Sequence, residues 1–421
     1  MRLCGLLIVA FVVTACGTPE WEMPVFNDGG LLKNATVPPD QASAHLEAVF
    51  RVDGPTSTFG DLVASRSRDG GVSFFSSANM GYAIMRPGCM DLAGGLVLEG
   101  YWRNATGGRT GLIRLFVEPP DAAAALCDGI APTGPVDLHG TYGSGNDIPD
   151  LPIHLAWESP LKKTTPPFRV VAHRGGCRTS DQCGASENSL EVIRIAGSLG
   201  ADAIEIDAQL TSDGIAILYH DPSFSDRLVE GTYCMGQVNE FPLAHIRALC
   251  RLEYGEQVPT LNDALRVVVE ETSLVAVWID IKTPDAIPAC IAASAYWKER
   301  AKAIGREVRF VNGLYSDDMV DAWLQAEPPA DAVCLVEMDP KDVRGAGCEV
   351  WAPRWTRGPM DSKVRKVQES GRTVAFWTLD ESEFIDIVLK EARPNALCTN
   401  RPGLVFQRFQ MVGESPWGPT P

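Results

Sequence analysis

Two histidines, three carboxylates and two cations stand out in the second half of the chain. His173-Arg174 ends the apolar run Val170-Val171-Ala172, and Glu205-Ile206-Asp207 ends another. Alternation along a strand puts Glu205 and Asp207 on one face, and likewise Asp280 and Lys282 in Ile279-Asp280-Ile281-Lys282. Burying such carboxylates unpaired is costly, and a hard divalent cation, Ca²⁺ or Mg²⁺, resolves the cost through oxygen ligands. The pattern therefore predicts Glu205, Asp207 and Asp280 as metal ligands. His173, His220, Arg174 and Lys282 add two titratable rings and two cations to the same set.

These residues need elements that bring them together. Strand-like runs at 169–175, 201–207, 275–282, 308–314, 332–337, 349–354, 373–379 and 395–399 alternate with helical periodicity at 189–199, 288–304, 317–325, 361–370 and 381–391. Eight such strands predict a (β/α)8 TIM barrel over 165–410, an α/β fold whose sites sit at the C-terminal ends of the strands. Residues 215–220 also read as a strand, but Ser212-Asp213-Gly214 is too short for a parallel crossover. That run must fold back as an antiparallel hairpin and return His220 to the level of Asp207.

Upstream, 41–158 carries short strand runs broken by Gly, Asn and Asp, which predicts a small all-β domain, sandwich-like or barrel-like, of unassigned role. His45, His139 and His154 stand alone there. Residues 16–40, rich in Pro, Gly and Asn, read as a tether, and 160–167 as a linker. Residues 1–15 read as a signal peptide whose apolar stretch is too short to span a bilayer. The ending Val13-Thr14-Ala15-Cys16 resembles a bacterial lipobox, which implies a lipid anchor on Cys16 in the cell envelope. Gly17 offers no Asp retention signal, so the outer membrane or periplasmic face is preferred.

The chain has 421 residues, 37 basic and 54 acidic, for a net charge of −17, which argues against a nucleic-acid partner. Beyond Cys4 and Cys16 lie ten cysteines, an even number that in an exported protein reads as a disulfide framework. Cys89–Cys127, Cys177–Cys183 and Cys234–Cys250 are the expected local pairs.

The motifs Val-Ala-His-Arg-Gly-Gly (171–176), Glu187-Asn188-Ser189, the run 200–214, Leu218-Tyr219-His220-Asp221-Pro222, Val258-Pro259-Thr260-Leu261, Phe376-Trp377-Thr378-Leu379 and Thr399-Asn400-Arg401-Pro402 resemble the glycerophosphodiester phosphodiesterases. The resemblance covers about 168–405. It implies metal-dependent hydrolysis of glycerophosphodiesters to glycerol 3-phosphate and an alcohol, with a small insertion at 221–274. It implies that Glu205, Asp207 and Asp280 hold the cation, that His173 and His220 act as general acid and base, that Arg174 and Lys282 bind the phosphate oxygens, that Glu187 and Asn188 orient the site residues, and that Trp377 walls the substrate, with core packing as the other reading of Trp377. A helix-capping role is the other reading of Asn188. Asp280 stands where the family usually has Glu. The related sphingomyelinase D enzymes have Asp there, so lysophospholipase D or sphingomyelinase D chemistry on a lysophospholipid is the alternative. A non-catalytic surface-binding lipoprotein is a second alternative. Asn400 stands where Asp is common, which puts any ion pair at that place in doubt.

Overall fold

The computed structural model describes residues 23–90, 95–177, 183–231 and 233–412; the expected signal peptide and Cys16 lie outside these residues. Eight antiparallel strands come first: β1 (Ala48–Asp53), β2 (Leu62–Arg68), β3 (Gly71–Phe75), β4 (Gly81–Met90), β5 (Gly95–Asn104), β6 (Thr110–Glu118), β7 (Asp137–Tyr142) and β8 (Leu151–Pro160). Each pairs with its neighbour in sequence, and β8 returns to β1, so one sheet closes on itself rather than stacking as two. Closure removes the exposed edges that a sandwich keeps. Phe50, Met85, Leu96, Leu98, Trp102, Ile113 and Leu115 fill its interior.

The segment expected as a tether is docked where it is described. Val25 donates its N–H to Asn146, and Leu32 donates to the buried carboxylate of Glu99, which also pairs with Arg114. Thr36 bridges to Cys89. Glu99, set on the outer face of β5, needs these donors, and supplying them orders the strap.

The second domain is a closed parallel barrel: β9 (Arg169–Ala172), β10 (Ala203–Leu210), β16 (Ala276–Ile281), β17 (Arg309–Leu314), β18 (Val333–Val336), β19 (Val350–Trp351), β20 (Thr373–Phe376) and β21 (Ala396–Thr399), with β21 returning to β9. The hairpin partner of β10 is β11 (Ala216–Leu218), antiparallel as its short turn requires. Tyr219 N–H donates to Asp207 O, and the Gln209 amide donates to Tyr219 O and Asp221 O, which locks the return. The insertion folds as two small ribbons, β12 (Ser223–Phe224) with β14 (Gly236–Gln237) and β13 (Val229–Glu230) with β15 (Arg251–Leu252), over a core of their own.

The two barrels share a seam. Phe75 packs edge-on to Phe406 with Arg66 over the same ring, and Asp202, just before β10, pairs with Arg66 and accepts from Val170 N–H at 2.9 Å. Arg66 also donates to Gly200 O at 2.8 Å.

The three expected disulfides are present, with a fourth at Cys334–Cys348. Cys290 and Cys398 are free thiols, so the even count did not mean full pairing. Both are enclosed, at 0% and 1% exposure, and serve as small apolar side chains.

Candidate active site

The barrel strands deliver their C-terminal residues to a cavity of about 300 Å³. His173, Arg174, Glu205, Asp207, His220, Asp280, Lys282 and Trp377 all line it, so the expected catalytic, metal and substrate residues are brought together. The register explains part of this. Asp207 on β10 stands opposite Asp280 on β16 in a parallel pair.

After β9 the chain turns sharply through His173–Gly175. Arg174 has φ 52°, a left-handed backbone held by its N–H to Glu205 at 2.9 Å. Gly175 (φ 89°) lies so close to Val192 that an added Cβ would meet Cγ1 at 2.4 Å. The turned Arg174 side chain reaches Glu187 at 2.7 Å and Asp207 at 3.2 Å. Asn188, also left-handed at φ 60°, donates to Asp207 Oδ2 at 2.7 Å and accepts from Asp207 N–H. Glu187 and Asn188 therefore hold Arg174 and Asp207 in place. Capping of the following helix falls to Ser189, which accepts from Val192 N–H.

Both histidines have their Nδ1 engaged. His173 Nδ1 lies 2.7 Å from Asn400 Oδ1, and Asn400 Nδ2 donates to Asp380 at 2.6 Å. The Asp380 carboxylate accepts only, so it fixes the amide orientation and makes His173 Nδ1 the donor. The doubt attached to Asn400 is thus resolved. An amide can donate to Asp380 and accept from His173 at once, which a carboxylate cannot. His220 Nδ1 lies 2.6 Å from Asp221, whose carboxylate is also gripped twice by Arg227. With Nδ1 taken in each ring, Nε2 is the remaining ring nitrogen, and that of His173 lies 3.8 Å from Glu205.

Oxygens of Glu205, Asp207 and Asp280 all lie within 4.8 Å of one another. Burial, with the charges of Asp207 and Asp280, pushes the Glu205 carboxyl well above its ordinary value. Burial raises Asp280 too, although Lys282 opposes it. Asp207 is also buried, yet Lys282 and Arg174 hold it below the usual range. Asp280 Oδ1 is buried with no hydrogen-bond partner among the described residues. Three crowded carboxylates and an unused oxygen acceptor fit a hard divalent cation.

Six cavity residues were not expected there from the sequence: Trp278, Tyr315, Glu337, Arg354, Thr378 and Cys398. Burial and the neighbouring Asp280 push Glu337 up to about 8. Its signal was present, since it closes the strand-like run 332–337 as Asp207 closes its own. Arg354 stacks over Trp377, whose indole N–H donates to Ala352 O.

A parallel barrel with two oriented histidines beside a carboxylate triad defines a phosphoric-diester hydrolase. Residues 173–307 match the model of the Glycerophosphoryl diester phosphodiesterase family. A Mycobacterium tuberculosis protein named probable glycerophosphodiester phosphodiesterase 2 is 26% identical over 245 residues, covering 55% of this chain and 87% of that protein. Human glycerophosphodiester phosphodiesterase 1 is 33% identical over 121 residues, covering 27% of this chain and 33% of its own. A crystal structure of a glycerophosphodiester phosphodiesterase from Parabacteroides distasonis is 19% identical, covers 58% of this chain and 96% of that one, and has a TM-score of 0.46.

Proposed function

We propose that this chain hydrolyses glycerophosphodiesters to glycerol 3-phosphate and an alcohol, and that a lipid on Cys16 holds it in the bacterial cell envelope. The observation that carries the chemistry is the pair of Nδ1-anchored histidines lining one cavity with Glu205, Asp207 and Asp280. A His whose Nδ1–H is fixed presents Nε2 as the working atom. His173, backed by a neutral amide, takes the proton of the attacking oxygen. His220, oriented by the Asp221 carboxylate, gives its proton to the leaving alkoxide. Arg174 and Lys282 stabilise the non-bridging oxygens, and Trp377 walls the cavity. Glu205, Asp207 and Asp280 would hold Ca²⁺ or Mg²⁺, which supplies Lewis-acid polarisation of the phosphoryl group when bound.

Choline release from glycerophosphocholine, measured with each metal and with chelator, tests the reaction. Undiminished turnover in His173→Ala and His220→Ala would sink it. Radiolabelled fatty acid incorporated by the parent and lost in Cys16→Ser tests the anchor.

A further inference from the structure

The two barrels stand side by side with matched ends. The β2–β3 turn of the first reaches the base of the second, where Asp69 accepts from Ser273 N–H, ahead of β16. Its opposite end carries the hairpin loops around Met80 and Ala105, which meet Gly176, Cys177 and Asn400–Pro402 at the catalytic rim. The loop 143–150 belongs to that same end, because β7 and β8 continue the up-and-down order.

The N-terminal strap runs the length of the first barrel. It starts at the rim end, where Val25 meets Asn146, passes Glu99 and Cys89, and reaches Gly129 at the base through Gln41. The chain therefore joins the described structure at the catalytic end. Cys16 is seven residue steps from Met23, a reach of about 25 Å at full extension. Strands β4 and β5, of ten residues each, span about 33 Å before tilt. A leash of that length brings the rim end to a bilayer more easily than the base.

The rim end also carries large apolar side chains that solvent leaves bare. Tyr233 (75% exposed) and Met235 (67%) flank Cys234 on the insertion, Phe384 (40%) follows β20, and Ile148 (82%) tops the first barrel. Three separate elements at the rim end thus carry bare apolar groups. Tyrosine with exposed aliphatics suits the interface of a lipid bilayer.

We propose that the catalytic face docks on a lipid surface, so that the cavity opens toward phosphodiester headgroups carried there, such as those of lysophospholipids. This rests on the lipidation and phosphodiesterase readings above. The net charge of −17 makes a zwitterionic bilayer the partner rather than an anionic one.

The test places single thiols in the lipidated full-length protein. Cys290 and Cys398 are buried and the other described cysteines are paired, so an added surface thiol labels selectively. An environment-sensitive fluorophore goes on Ile148→Cys and Phe384→Cys at the rim, and on Ile304→Cys and Leu324→Cys at the base. In vesicles of brominated phosphatidylcholine the rim labels are expected to quench severalfold more than the base labels. Equal quenching, base-only quenching or none overturns the proposal. Tyr233→Ser with Met235→Ser should cut turnover of vesicle-borne lysophosphatidylcholine at least fivefold and leave soluble glycerophosphocholine within twofold. An equal fall on both substrates also overturns it. A parent inactive on both would overturn the phosphodiesterase reading alone, and the quenching would still decide the surface.

Discussion

Two sites that bury carboxylates, the seam between the barrels and the catalytic rim, treat them in opposite ways. At the seam, Asp202 is 6% exposed and fully engaged. Arg66 pairs with it, Arg68 and Arg169 lie 3.6 and 3.5 Å away, and Val170 N–H donates to its second oxygen. At the rim, Glu205, Asp207 and Asp280 crowd together with Arg174 and Lys282, and Asp280 Oδ1 has no partner among the described residues. Cations outnumber carboxylates at the seam, and carboxylates outnumber cations at the rim. Against burial, the cations hold the Asp202 carboxyl below its ordinary value, whereas burial and like charge lift Glu205. A satisfied buried charge joins domains, while an unsatisfied surplus marks a place built for something that arrives later.

The largest effect should separate the two regions outright. His173→Ala and His220→Ala are each expected to lower kcat by about 10²–10⁴ on glycerophosphocholine without lowering the unfolding midpoint. Arg66→Ala should do the reverse. Stranding Asp202 costs about 3–5 kcal/mol in urea unfolding, with kcat of the folded protein kept. The comparison fails if Arg66→Ala unfolds like the parent.

A subtler pair of variants tests the sign. Glu205→Gln removes repulsion, so the metal-free protein should melt higher, and the Tm gain from added Ca²⁺ or Mg²⁺ should shrink. Asp202→Asn should melt lower, with its metal-dependent gain intact. Thermal scans with and without cation read both.

The smallest effects are in pH. The folded value of Asp202 is depressed, so its contribution is present above the ordinary carboxylate value, about 4, and is lost as pH falls through the folded value. Glu337 is raised to about 8, so the unfolded chain releases that proton first, and metal-free stability declines as pH climbs from about 4 toward 8. Urea midpoints across pH should show Asp202→Asn flattening the acid limb and Glu337→Gln flattening the upper one.

The sequence carried much of this in legible form because strands announce themselves by period and length. Glu205, Asp207 and Asp280 were readable because alternation assigns faces, and the turn 212–214 dictated where His220 had to land. What escaped was long-range partnership. Nothing local in Asn400 says that its amide will bridge His173 and Asp380 across more than 200 residues. The strap at 25–40 looked like a tether because its own composition is loose, and its order comes from Glu99 and Arg114, far along the chain. The closed sheet of the first domain was likewise undecidable, since β1 and β8 meet only at closure. Cys290 and Cys398 misled because a count of thiols carries no information about distance.

The hairpin of β10 and β11 has a consequence for how such a site can change. His220 and Asp207 ride on one folded ribbon, spaced by main-chain hydrogen bonds and by Gln209. The spacing of His220 and Asp207 is therefore inherited from the backbone, with no loop acting as its ruler. Everything grafted after Asp221, up to the cap at Thr260, hangs outside that gauge. Such a design lets the grafted lobe be exchanged or reshaped for a new headgroup or surface while the reacting atoms keep their separation.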